Sequence, residues 1–257
     1  MNKQFEGRVA IVTGGSDGIG RQTSEMLAAS GAHVAVLARG MEKLEATRDA
    51  IQAAGGSVEI HSVDLSDPEA YADLVSKISA DNGRLDMLVN NAMSVHYAPL
   101  HKLSLEHWRK DFAVNADAVF AGTKAAIAAM RESGGGSIVN VSSTTAIRAA
   151  PYMASYSASK AAMIQFTSVA AMEVARENIR VNCVVPGQVQ TAGNEDFARK
   201  APEVAAKTVE AIPMGRGGAP EELAAAIVFL LSDAASYITG IALPVDGGKS
   251  AQLYLPS

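Results

Sequence analysis

Cysteine is almost missing from this chain of 257 residues: Cys183 stands alone, which excludes an internal disulfide and a thiolate metal cluster and fits a reducing compartment. Basic charge is also short. The 22 lysines and arginines are outnumbered by 27 acidic residues, net charge is -5, and no Lys/Arg cluster stands out. Nucleic acid and anionic membranes are therefore not expected as partners. No segment reaches the ~18 uninterrupted apolar residues of a membrane span. The opening segment meets Gly7, Gly14 and Gly15 too early to form the apolar centre of a secretory signal. The expected location is the cytoplasm. The five histidines form no H-E-x-x-H or comparable ligand set, so no metal is expected. A Pro/Ser-rich linker, a charge block and a fixed-period repeat are likewise missing, which points to one domain over 1–257.

What is present is a packable chain, 48% apolar and 19% charged, long enough to bury a sizeable core without staples. Short β-branched runs recur at 9–13, 33–37, 57–63, 85–90, 137–142, 179–185 and 241–245, with stretches of helical composition between them. The early runs are apolar on both sides rather than alternating, as parallel strands covered on both faces must be. The expected fold is α/β, a single doubly wound, Rossmann-like domain with about seven parallel strands flanked by helices. Punctuation agrees: Ile19, Thr23, Met26, Leu27 and Ser30 keep helical spacing before Gly31, Asp67-Pro68 reads as N-cap and first helical position, and Pro220-Glu221-Glu222 opens another helix. Residues 188–218 are the least regular stretch and are expected to form a substrate-binding loop or lid.

The first strand runs into Gly14-Gly15-Ser16-Asp17-Gly18-Ile19-Gly20 and then a helix, an order that aims backbone N–H groups and a helix N-terminus at a pyrophosphate. The stretch from Thr13 to Gly20 resembles the T-G-x-x-x-G-x-G turn of the short-chain dehydrogenase/reductase family. Further motifs follow in family order: Asn90-Asn91-Ala92, Asn115, Ser143, Tyr156 and Lys160 as Y-x-x-x-K, and Pro186-Gly187-Gln188-Val189-Gln190-Thr191 as P-G-x-[VI]-x-T. The resemblance extends from Gly7 to Gly248.

Tyr156 and Lys160 lie four apart in a helical stretch, so both project from one face and can act on one ligand. A nearby ammonium and the positive ring of an oxidised nicotinamide favour the phenolate over a free tyrosine's pKa of about 10. Tyr156 is then a base for alcohol oxidation or an acid for carbonyl reduction. The family spacing selects Ser143 over Ser142 as the second hydroxyl on the substrate oxygen. The resemblance further implies that Asn115 positions Lys160 through water, that Asp64 and Leu65 meet the adenine and Asn91 the ribose, and that Val189 and Thr191 meet the nicotinamide carboxamide and phosphates. Ala92, Pro186 and Gly187 complete the cofactor set.

Cofactor choice turns on the end of the second strand. Ala38 occupies the position where NAD-using relatives present an acid to the ribose, and Arg39 follows it, which favours NADP(H). Asp17 in the glycine turn argues for NAD(H) instead. Met93 replaces the glycine of the family's N-N-A-G. Substrate contacts are expected from Ser94, His96, Ser143, Thr145, Met153 and Gln188. The expected activity is NAD(P)(H)-dependent interconversion of a secondary alcohol and a ketone, with NADPH-dependent reduction favoured. The alternatives are an NAD-dependent alcohol dehydrogenase, a 3-oxoacyl carrier-protein reductase, and a nucleotide-sensing member without chemistry. The resemblance also implies a homotetramer, with alanine-rich faces such as Ala125, Ala126, Ala128 and Ala129 permitting close approach.

Overall fold

Apolar residues on both sides of a strand can be buried only between two layers, and that is where the strands lie. The computed structural model describes residues 3–252, the side chain of Phe197 excepted; 1–2 and 253–257, the ends of the expected unit, lie outside the described residues. Its strands are β1 (Val9–Thr13), β2 (His33–Ala38), β3 (Ser57–Ser62), β4 (Met87–Asn90), β5 (Gly136–Val141), β6 (Ile179–Pro186) and β7 (Ala242–Val245). They form one parallel sheet of order β3-β2-β1-β4-β5-β6-β7. Side-chain alternation along β1 splits the core in two. Ala10 and Val12 join a cluster under α1 (Gly18–Ala29) and α9 (Pro220–Leu231), while Val9 and Ile11 join one on the opposite face under α3 (Pro68–Asn82), α5 (Ala118–Glu132) and α6 (Ala154–Val174).

Local chemistry sets the helix ends. Asp67 caps α3 by accepting from the Ala70 N–H at 3.0 Å, with Pro68 in the first turn, and Gly83 closes it in the left-handed conformation. Glu222 reaches back to the Ala219 N–H at 2.7 Å at the start of α9. Between α4 (Leu105–Phe112) and α5 the helix widens into a π-turn over Ala113–Asp117. The stretch 188–218 is more regular than the sequence suggests: it carries α7 (Ala192–Lys200) and α8 (Pro202–Glu210). Both are only nine residues long, so their apolar periodicity is too brief to register against the Gly and Pro around them.

Strand order reverses between neighbouring β1 and β4, since the chain leaves β1 toward β2 on one side and β4 toward β5 on the other. That switch point opens a crevice at the carboxyl ends of the strands, where ligands of such sheets bind.

Candidate active site

The carboxyl edge of the sheet gathers most of the motif residues. Thr13 ends β1 and staples it to the turn after β4. Its Oγ1 accepts from the Asn91 and Ala92 N–H groups at 2.9 and 3.1 Å, and Asn91 Nδ2 donates back to the carbonyls of Thr13 and Gly14 at 3.0 and 3.2 Å. The turn holding Gly14, Ser16, Gly18, Ile19 and Gly20 leads into α1, whose first turn carries no acidic side chain. Gly18 has φ +49°, and a Cβ there would lie 3.1 Å from the Thr191 side chain. The gap between the α1 N-terminus and the segment after β6 is thus kept open by a missing side chain, which suits a pyrophosphate. Pro186 and Gly187 lead out of β6, and Val189 is buried and bridged to Gly218. Asp64 and Leu65 follow β3 at the far edge of the sheet. The Ser66 N–H, donated to Asp64 at 3.0 Å, holds that carboxyl below its ordinary range.

Ser143, Tyr156 and Lys160 lie near one another beyond β5. Ser142 is buried and donates to the Lys160 carbonyl at 2.9 Å, whereas Ser143, one residue on, faces Tyr156. Ser143 Oγ accepts from the Thr145 N–H and Oγ1 at 3.2 and 3.1 Å, which leaves its own proton to donate. Tyr156 and Lys160 stand one turn apart on α6, with Lys160 Nζ 5.9 Å from the Tyr156 ring centroid. Burial raises the phenol to about 12, with nearby Ser143 acting in the lowering direction. Burial also lowers the Lys160 ammonium to about 8; its Nζ donates to the Val141 carbonyl at 2.7 Å.

Asn115 sits in the π-turn, a helix irregularity that recurs at functional positions. Its Oδ1 accepts from the Ser94 N–H at 2.9 Å, and its Nδ2 donates to the Ser94 carbonyl at 2.8 Å and to Ser159 Oγ at 3.0 Å. Its direct partners are therefore the neighbour of Lys160 and the loop after β4. Met93 in that loop places its Sδ 3.9 Å from Tyr156 Oη.

A family model described as enoyl-(acyl carrier protein) reductase matches residues 14–250. The chain belongs to the short-chain dehydrogenase/reductase family. The 3-oxoacyl-(acyl-carrier-protein) reductase of Thermotoga maritima is 38% identical over 245 residues, 95% of this chain and 98% of that one. A Beutenbergia cavernae structure, provisionally assigned as an NAD(P)-dependent gluconate 5-dehydrogenase and holding NADP at low occupancy, is 38% identical with TM-score 0.93, covering 98% of this chain and all of that one (100%). An NAD+-bound xylitol dehydrogenase is 30% identical with TM-score 0.91, over 95% and 100% of the two chains. This member of the family is an oxidoreductase that interconverts CH–OH and carbonyl groups with a nicotinamide cofactor.

In this short-chain dehydrogenase, the features that the linear pattern does not reveal are contacts between distant segments. Lys43, in the first turn of α2 (Met41–Ala53), donates to Asp17 Oδ2 at 2.5 Å, while Asp17 Oδ1 caps the Gly18 N–H at 2.8 Å. Arg39 and Lys43 thus stand exposed on the side of the turn that leads to β2. Asp111, wholly buried on α4, accepts from Ser94 Oγ, His96 Nδ1 and Ser155 Oγ. Desolvation pushes its pKa up, and hydrogen bonds from Ser155, His96 and Ser94 outweigh this and hold it below the ordinary range. His96 stacks on His107 with ring centroids 4.2 Å apart. Tyr152 has φ +68° and accepts from the Ala98 N–H at 3.0 Å. Only one of these had a local signal: Asp111 lies one turn before Asn115.

Proposed function

We propose that this short-chain dehydrogenase reduces a ketone to a secondary alcohol with NADPH, using Tyr156 as proton donor. The observation that carries the reading is the meeting of Ser143, Tyr156 and Lys160 at the end of β5, with a phenol that burial keeps protonated. When bound, the nicotinamide supplies the hydride. Ser143 donates a hydrogen bond to the substrate oxygen and Tyr156 passes its Oη proton to that oxygen as negative charge develops there. Lys160 holds positive charge beside the phenol and, with Asn115 supporting its helix turn through Ser159, keeps it poised to shed the proton. Ser94, His96, Thr145, Met153 and Gln188 line the approach, and residues 188–218 act as the lid.

The choice of NADPH rests on charge. Lys43 neutralises Asp17, the residue that argued for NAD(H), which leaves Arg39 as the excess charge at the ribose end of the site and no free acid from the turn. In a fluorescence titration NADPH is expected to bind at least about tenfold tighter than NADH, roughly 1.4 kcal/mol; tighter NADH binding would overturn the preference. Tyr156→Phe is expected to lose turnover by about a thousandfold or more while keeping NADPH affinity, and unimpaired ketone reduction by that variant would sink the mechanism. The same reading includes a cytoplasmic homotetramer, supported by the scarcity of cysteine and by the outward apolar residues of α5 and α6.

A further inference from the structure

Asp111 is a buried carboxylate in a place where folding alone has no use for one. Its side chain is 0% exposed, and an ionised carboxylate removed from water costs several kcal/mol unless donors surround it. A wholly apolar set in place of the carboxylate and its donors would commonly be as stable or more so. The donors come from two separate elements. From the loop after β4, Ser94 Oγ donates at 2.8 Å, the His96 backbone N–H at 3.2 Å and His96 Nδ1 at 2.7 Å. From the first turn of α6, Ser155 Oγ donates at 2.5 Å. His96 is also the cation-capable side chain bonded to the carboxylate.

The arrangement repeats one turn along the helix. Asn115 binds the same loop at Ser94 and binds α6 at Ser159. Each rung therefore ends on the serine that directly precedes a reactive residue, Ser155 before Tyr156 and Ser159 before Lys160. On the loop side the residue preceding Ser94 is Met93, which is 59% exposed and touches the Tyr156 phenol oxygen through Sδ. The loop and α6 thus form the two walls beside the reacting phenol, and Asp111 ties one to the other.

We propose that Asp111 is a positioning residue of the reaction: with His96 and Ser155 it clamps the Met93–His96 loop to the first turn of α6 and so fixes the width of the slot between Met93 and Tyr156 into which the carbonyl enters. The proposal rests on the reading of Tyr156 as proton donor for its consequence in turnover, but the clamp itself is a matter of geometry. It makes Met93 a wall of defined position, where a glycine at that point would leave the slot open.

The test uses the full-length protein labelled with carbon-13 in the methionine methyl groups, with the Met93 resonance assigned by its loss in Met93→Leu. With its Sδ held 3.9 Å from the phenol oxygen, Met93 is expected to give a methyl shift displaced from that of free methionine. In Asp111→Asn, which presents a donor where only donors point, the resonance is expected to move toward the free value. The kcat for cyclohexanone is expected to fall about tenfold, since small misplacements at the reacting atoms are costly, with the Kd for NADPH unchanged within about twofold. Ser155→Ala removes one donor only and is expected to give a smaller shift in the same direction, which keeps the test decisive if Asp111→Asn does not fold. A Met93 resonance unmoved in the folded variants overturns the clamp. The two readings separate cleanly: turnover retained by Tyr156→Phe would overturn the proton-donor reading, whereas the Met93 resonance in Asp111→Asn and Ser155→Ala, both with the Tyr156 phenol that Met93 touches intact, decides the clamp.

Discussion

Tyr156 and Lys160 carry opposite perturbations with one cause. Burial disfavours whichever form is charged, so the phenol is raised to about 12 and the ammonium lowered to about 8. Reduction needs the protonated phenol and oxidation the phenolate. On the reading of Tyr156 as the acid–base group, alcohol oxidation is expected to accelerate from about pH 7 to 10 as the phenolate fraction grows, while ketone reduction holds level because the phenol stays protonated throughout. Initial rates in both directions across that range check this, and a flat oxidation profile would place the proton transfer elsewhere. Lys160 also costs stability. Its folded pKa lies below its ordinary value of 10.5, so the folded state holds fewer protons than the unfolded chain between about 8 and 10.5, and this residue's contribution rises with pH there. Lys160→Met is expected to unfold with equal or up to about 2 kcal/mol greater stability at neutral pH, the gap narrowing toward pH 10, and to lose turnover. Urea melts at two pH values read both.

At the scale of elements, polar side chains lock the strands and helices that carry the site. Tyr71 on α3 donates to Asn90 Oδ1 at 2.9 Å. Asn90 Nδ2 donates across the sheet to Asn140 Oδ1 at 2.8 Å, and Asn140 Nδ2 reaches Thr167 on α6 at 2.9 Å. This buried chain sets β4, β5 and α6 relative to one another. Its first link depends on Gly122 of α5, where an added Cβ would lie 2.1 Å from Tyr71 Cε1. Gly122→Ala is expected to destabilise the fold by about 1–3 kcal/mol through overpacking, read as a lower urea midpoint at unchanged slope. The π-turn matters for the same reason: it re-aims Asn115 so that one side chain reaches both the loop after β4 and α6.

For the whole molecule, the apolar surface that stays outside is unevenly placed. Phe120 on α5 and Val169 and Met172 on α6 are exposed, whereas Ala125 and Ala129 pack toward the sheet with buried Ala126, leaving Ala128 as the outward alanine of that set. Light scattering of the purified protein is expected to give the mass of four chains, and a monomer at micromolar concentration would overturn the homotetramer. Among the described residues no helix is long and apolar enough to cross a membrane.

The strands, their parallel sense and the turn at Thr13–Gly20 were legible in the linear pattern because each is governed by neighbours in sequence: two-sided apolar runs, N-caps and glycines between elements. The same holds for Y-x-x-x-K, since a four-residue spacing on a helix fixes a shared face without knowledge of the rest. The helices within 188–218, the Lys43 partner of Asp17, and the meeting of Asp111 with Ser155 and His96 were not legible. The first are short amphipathic turns stabilised mainly by packing, and the others join segments 26, 44 and 15 residues apart. By itself, then, the sequence determined the fold class and the family, because two-sided apolar runs, glycine turns and ordered motifs are set by local spacing and residue type. Only the tertiary structure decided which charges are compensated and which loop stands against the phenol, because those depend on distances across the sheet edge that no local rule encodes.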